Sequence, residues 1–170
     1  MSEPGTDVET DTAPIKRESS VDLEYGGYDQ LNIVMRIMKT AFSSTYGESW
    51  NEHQCRSMLS LPGTLLLIAS WNQNPCGFAI SREVADEEEL LMIAVDPQYQ
   101  NNGIGETIMK QVITNAVENG IAALFLEVRS NNPAQTMYQK VGFEKIGLRR
   151  AYYTGDNKEK FDAITYKMLL

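Results

Sequence analysis

Several residue classes are scarce in this chain, and each scarcity removes a class of function. Among 170 residues there is one histidine, His53, in a polar stretch that reads as an exposed helix start. The two cysteines, Cys55 and Cys76, have no metal-ligand spacing and make no disulfide framework, so neither a structural metal site nor a stapled secreted domain is expected. Apolar runs are short. No window approaches the roughly 18 residues of a membrane span, and the first twenty residues hold no apolar stretch of the secretory-signal kind. Basic residues are outnumbered, 15 against 23, giving a formal net charge of -8. Sequence-independent nucleic-acid binding relies on clustered Lys and Arg, so no direct nucleic-acid partner is expected. The expectation is a cytoplasmic protein with no membrane partner.

What is present suits one globular domain: the hydrophobic fraction is 42% and the charged fraction 22%. Acidity is concentrated at the N-terminus. Residues 1–22 hold Glu3, Asp7, Glu9, Asp11, Glu18 and Asp22 against Lys16 and Arg17, which is half of the net charge. With Ser, Thr, Pro and Gly and no large apolar cluster, this segment cannot offset its ordering entropy and is expected to be disordered. The folded domain is therefore set at 23–170.

Within that domain the apolar period changes from segment to segment. Leu31, Val34, Met35, Met38 and Phe42 recur at helical spacing. Asn51 followed by Gln54 has the form of a capping box opening a second helix, which Pro62-Gly63 ends. Thr64–Trp71 and 76–84 read as a hairpin around turn residues, and 86–89 as an acidic turn or solvated edge. Residues 90–95 form a short apolar strand closed by Asp96-Pro97. A helix with one wide apolar face covers 103–119, capped by Gly120, and a strand follows over 121–128. Pro133 opens a short helix to Lys140, and 143–153 with 161–169 form a last hairpin. One βαβ unit inside an otherwise antiparallel order predicts a mixed α/β fold with helices on both faces of the sheet.

The stretch from Val95 to Glu106 carries the chemical information. It is a strand, a turn, a glycine-containing loop and a helix start. Unpaired N–H groups and the partial positive charge of a helix N-terminus suit a phosphate or pyrophosphate, and Gly103 and Gly105 let backbone approach a ligand closely. On these residues alone, a tight strand-to-helix turn is an equal reading. The glycine spacing is neither a Rossmann fingerprint nor a Walker loop.

The run V-D-P-x-Y followed by Gln-x-x-Gly-x-Gly, then L-E-V-R at 126–129, N-x-x-A-x-x-x-Y-x-K-x-G-F at 131–143, R-R-x-Y-Y at 149–153 and Asp162-Ala163 resembles the GNAT acetyltransferases. The likeness covers about 23–170 and is strongest to the RimI-type branch, whose members acetylate the N-terminal alanine of a small-subunit ribosomal protein. It implies the GNAT fold, a mostly antiparallel mixed sheet with one parallel, splayed strand pair. It also implies acetyl-CoA as co-substrate, and no metal. Backbone groups of Ile93, Ala94 and Val95 would hold the pantetheine and the thioester carbonyl. Gln100, Asn101, Asn102, Gly103, Ile104, Gly105 and Glu106 would take the pyrophosphate, with Asn131 also at the cofactor. Asn101 and Asn102 stand where relatives commonly carry basic residues, so binding leans on amides and the helix dipole. Glu127 would be the base and Tyr138 the acid for the departing thiolate.

The implied reaction needs a neutral amine. An α-amine of pKa about 8 is roughly a tenth neutral at pH 7, and a lysine amine under about a thousandth. A carboxylate base thus suits a protein or peptide N-terminus, with a basic ribosomal protein as one such acceptor. Glu127 and Tyr138 are 11 residues apart, one fewer than is usual in the family. Absorbed in the turn after Arg129, the shortening leaves Glu127 on its face; within the strand it would turn Glu127 away. A small-amine acceptor and a non-catalytic acetyl-CoA sensor remain as alternatives. Trp50 reads equally as a hydrophobic staple or an acceptor contact, and Tyr152 and Tyr153 as acceptor contacts or packing.

Overall fold

The computed structural model describes residues 20–42, 49–155 and 157–170. Most of the expected tail, 1–19, lies outside the described residues. The first strand, β1 (Val21–Gly26), takes in the last two residues assigned to that tail.

A 3-10 turn leads into α1 (Leu31–Ala41), which buries Leu31, Val34, Ile37 and Met38 along one stripe. In α2 (Glu52–Leu59) the capping box forms as expected: Gln54 N–H donates to Asn51 Oδ1 at 2.9 Å and Asn51 N–H to Gln54 Oε1 at 2.8 Å. Strands β2 (Thr64–Trp71) and β3 (Asn74–Val84) are joined through Asn72 and Gln73. Both sit at positive φ, as a two-residue turn matched to strand twist requires. Of the acidic cluster only Asp86 is in a turn: β4 (Glu87–Val95) takes the three glutamates, with Glu88 buried between exposed Glu87 and Glu89. Period-2 alternation overrides the weak strand propensity of glutamate there.

Then come α3 (Ile104–Glu118), β5 (Ala123–Arg129), α4 (Gln135–Lys140), β6 (Glu144–Thr154) and β7 (Lys160–Leu169). The strands form one seven-stranded sheet in the order β1-β2-β3-β4-β5-β7-β6, antiparallel everywhere except between β4 and β5. The mixed, mostly antiparallel architecture expected from the sequence is the one observed. Two cores cover its faces. On one, α1 and Cys55 of α2 pack on Leu66, Ile68, Phe78, Ile80, Met92 and Ala94. On the other, α3 and Tyr138 of α4 pack on Leu67, Ala79, Leu90, Leu126, Val128 and Tyr166.

A local irregularity opens the sheet. Ile80 pairs with Met92 but Ser81 with Leu90, so Leu91 is an extra residue in β4. Such a bulge bends its strand. Pairing of β4 with β5 runs only from Glu87↔Ala123 to Leu90↔Leu126 and stops at the bulge. Beyond it β4 stays with β3 and β5 with β7, leaving a wedge between them.

Candidate active site

The wedge exposes backbone on its β4 side. Asp96 N–H donates to Cys76 O at 2.8 Å. Alternation along an antiparallel pair then turns the N–H and C=O of Val95 and Ile93 away from β3 and into the wedge. Ala94, expected beside them, does not share this orientation. Its peptide groups face β3 and its side chain lies in the α1-side core, because neighbouring residues of a strand point opposite ways.

At the far end of β4 the chain enters the glycine loop. Gly103 caps α3 at φ +75, a left-handed conformation that a Cβ would strain. At Gly105, an added Cβ would come within 3.2 Å of Met137 Sδ. Gln100 and Asn102 aim their side chains inward. Gln100 Nε2 donates to Val95 O at 3.0 Å, and Asn102 Nδ2 to Tyr99 O at 3.0 Å and Gln100 O at 3.1 Å. They therefore shape the loop. Ile104 is buried in the α3-side core and offers only its amide. The amides of Ile104, Gly105 and Glu106 belong to the first turn of α3, where no intrahelical acceptor exists.

Positive charge does reach this end, from residues the sequence pattern did not single out. Lys110 Nζ lies 2.8 Å and Lys140 Nζ 2.5 Å from the Glu106 carboxylate. These two ammonium groups, Lys110 first, hold the Glu106 carboxyl down at about 2. Lys110 is one helical turn on and could have been read from i,i+4 spacing; Lys140 comes from another helix.

Within the wedge lies a cleft of about 320 Å³, lined by Phe42, Trp50, Leu90–Ile93 of β4, Leu126–Arg129 of β5, Asn132, Tyr138, Tyr152 and Tyr153. Tyr138 approaches from the α3 side, its ring centroid 6.3 Å from those of Phe143 and Tyr166. Burial pushes its phenol up, so it stays protonated across the physiological range. Glu127 alternates with core residues Leu126 and Val128 and so lies on the opposite face. The turn after Arg129 is closed by two backbone hydrogen bonds: Ser130 N–H donates to Asp162 O at 2.9 Å and Asn132 N–H to Arg129 O at 2.9 Å. Glu127 keeps its strand register opposite Thr165. In that turn Asn132 lines the cleft and its Oδ1 accepts from Ala134 N–H at 2.9 Å, while Asn131, the residue assigned to the cofactor, is exposed.

Glu127 is held from both sides. Its Oε2 is paired with Arg149 Nη2, and its Oε1 accepts from the Tyr153 hydroxyl at 3.2 Å. Burial, and then the charge of Glu127, push the Tyr153 phenol up to about 12. The ring of Tyr152 stands edge-on to Tyr153 at 5.1 Å, with the Arg149 guanidinium 4.3 Å from its centroid. Trp50 packs on the α1-side core and also lines the cleft. Part of the segment before it, 43–48, lies outside the described residues. Arg149 stands in the R-R-x-Y-Y motif, but its pairing with Glu127 has no local signal.

A strand pair parted by a bulge, a glycine loop at a helix start, and a carboxylate and a phenol on one cleft are joined by a match of residues 27–153 to the family model described as the Acetyltransferase (GNAT) domain. The chain belongs to the GNAT acetyltransferase family. Among related GNAT proteins, the Escherichia coli K12 "[Ribosomal protein bS18]-alanine N-acetyltransferase" is 42% identical over 95 residues, 55% of this chain. That match spans 63% of the relative's own length, under two thirds. The Haemophilus ducreyi protein of the same name is 36% identical over 57% of this chain and 68% of its own. The crystal structure of the ribosomal-protein-S18-alanine N-acetyltransferase from Escherichia coli superimposes with a TM-score of 0.81 at 29% identity, over 88% of this chain and 94% of that one. In this chain the wedge presents inward-facing strand groups at Ile93 and Val95, and the first-turn amides of α3 lie at its far end.

Proposed function

We propose that this protein moves the acetyl group of acetyl-CoA to the α-amine of a protein N-terminus, with Glu127 as base and Tyr138 as acid. The observation that carries the reading is that these two groups reach one opening in the sheet from opposite faces, so an amine and a thiolate leaving group would have separate proton partners. When bound, acetyl-CoA supplies the activated acyl group. The chain's own residues do the rest. Ile93 and Val95 offer N–H groups to the pantetheine arm and to a carbonyl oxygen on which charge develops. The first turn of α3, with Lys110 and Lys140 beside it, favours the pyrophosphate.

Glu127 takes the proton that the amine loses as its nitrogen bonds to the acyl carbon. Tyr138 gives its proton to the sulfur as the carbon–sulfur bond breaks, and is reprotonated from solvent. The products are an N-acetylated chain and CoA thiol. The names of the related bacterial enzymes support an N-terminal alanine as the first acceptor to try. Trp50, Tyr152 and Tyr153 would contact the first residues of the acceptor.

The test is a thiol-release assay with acetyl-CoA and short peptides beginning with Ala, Ser, Met or Gly, beside N-terminally blocked peptides that contain Lys. Turnover confined to free N-termini is the expected result. Silence on every peptide, with acetyl-CoA still bound, overturns the reading.

A further inference from the structure

Strands β6 and β7 do not pair in simple register. Arg149 is opposite Ala163 and Tyr153 opposite Phe161, so four steps along β6 answer two along β7. The surplus residues form a bulge in which Ala151 takes φ +51. A residue other than glycine rarely keeps that conformation without a partner that holds it. Here the partner is Asp162, whose Oδ1 accepts from Ala151 N–H at 2.8 Å. The same residue's backbone oxygen accepts from Ser130 N–H at 2.9 Å, at the end of the strand that carries Glu127. Asp162 thus ties both strands that flank β7.

The bulge decides what can reach Glu127. In a regular strand, Arg149 and Tyr153 would be about 13 Å apart along the chain, too far for both to meet one carboxylate. With the bulge they stand opposite residues only two steps apart on β7, roughly 7 Å. Both then contact Glu127, one on each oxygen, and Tyr152 is turned against Tyr153 at the mouth of the cleft.

We infer that Asp162 is a positioning residue for the acceptor: its carboxylate fixes the 150–152 bulge and so sets Arg149 and Tyr153 on Glu127 and Tyr152 at the cleft mouth. The inference rests on the acceptor reading given above and names a residue for it outside the cleft lining.

The experiment uses the full chain, 15N-labelled, as wild type, Asp162→Ala, Asp162→Asn and Asp162→Ala combined with Ala151→Gly. Hydrogen exchange at the Ala151 amide reports the contact, and steady-state kinetics report its consequence. In Asp162→Ala the amide should exchange faster and peptide kcat/KM should fall, each by about tenfold or more, as for loss of a charge-assisted hydrogen bond. The KM for acetyl-CoA should stay within about twofold, since the contact lies away from the glycine loop. Asp162→Asn keeps an acceptor oxygen and should retain most of both properties. Ala151→Gly should recover part of the Asp162→Ala loss, because glycine holds positive φ unaided. Unchanged Ala151 exchange in Asp162→Ala, unchanged peptide kinetics, or an equal rise in both KM values overturns the inference. Turnover by wild type with Asp162→Ala unaffected removes this inference alone. Silence of the wild type on every peptide removes the acceptor reading and this inference with it.

Discussion

Glu127 is 16% exposed and engaged by a half-exposed arginine and a phenol, so the direction of its carboxylate is set within the fold, as the proposed base role requires. Glu127→Gln keeps the shape and removes the proposed base. It should lower kcat by about 10²–10⁴-fold with acetyl-CoA affinity unchanged, measured by single-turnover kinetics beside calorimetric binding. Tyr138→Phe should also lower kcat with donor affinity retained. The most exceptional carboxylate is not in the cleft. Glu88 is 1% exposed and, among the described residues, neither of its oxygens finds a hydrogen-bond partner, although the Ser81 hydroxyl lies beside it. Burial pushes its carboxyl up from the ordinary value. A folded-state value above the unfolded one means that the stability Glu88 contributes is full below the ordinary carboxylate range, about 4.3, and is lost as pH rises through the raised value. Glu88→Gln, always neutral, should therefore gain on wild type as pH rises from 4 to 8, reaching a melting temperature about 2–4 °C higher. Thermal unfolding across pH checks this. The types of the cleft residues were legible in the sequence through motif likeness. Their partners were not: Arg149 is 22 and Tyr153 26 residues from Glu127, and only sheet register joins them.

Two elements set the geometry of the wedge: the β4 bulge and the loop before α3. Deleting Leu91 would leave Leu90 opposite Ser81 and Met92 opposite Ile80 in regular pairing, and would remove the bend that parts β4 from β5. Gly103 has open space around the position of a Cβ, so a substitution there acts through the backbone. Gly103→Val should strain the αL cap by about 1–2 kcal/mol and weaken acetyl-CoA binding by about tenfold or more, read by calorimetry, with the sheet intact by circular dichroism. The helices were readable because caps and period are local; Asn51 with Gln54 and the apolar face of α3 needed no tertiary knowledge. The start of β4 was misread because three consecutive glutamates look like a turn, while alternating burial makes them a strand. The bulges at Leu91 and at 150–152 left no trace in the pattern, since each is defined by a strand elsewhere in the chain.

At the scale of the molecule, the wedge is an opening through a sheet packed on both faces, and each core holds one side of it. Phe78 is fully buried under α1, opposite the α3-side core. Phe78→Ala should cost about 3–5 kcal/mol of global stability, seen in urea unfolding, without altering the order of substrate preference. The architecture was legible as a whole because one βαβ unit in an antiparallel order has few solutions. The acceptor was less so, because the cleft wall proposed to face it is built from β6 and the chain before α2, whose sequences carry little periodic signal. The most direct test of the account gives the wild-type protein acetyl-CoA and one peptide carrying both a free N-terminal alanine and an internal lysine, and locates the acetyl group by fragment mass. Acetylation at the α-amine alone, lost in Glu127→Gln, is the result the account predicts. Acetyl on the lysine, or on neither amine while acetyl-CoA remains bound, would contradict it.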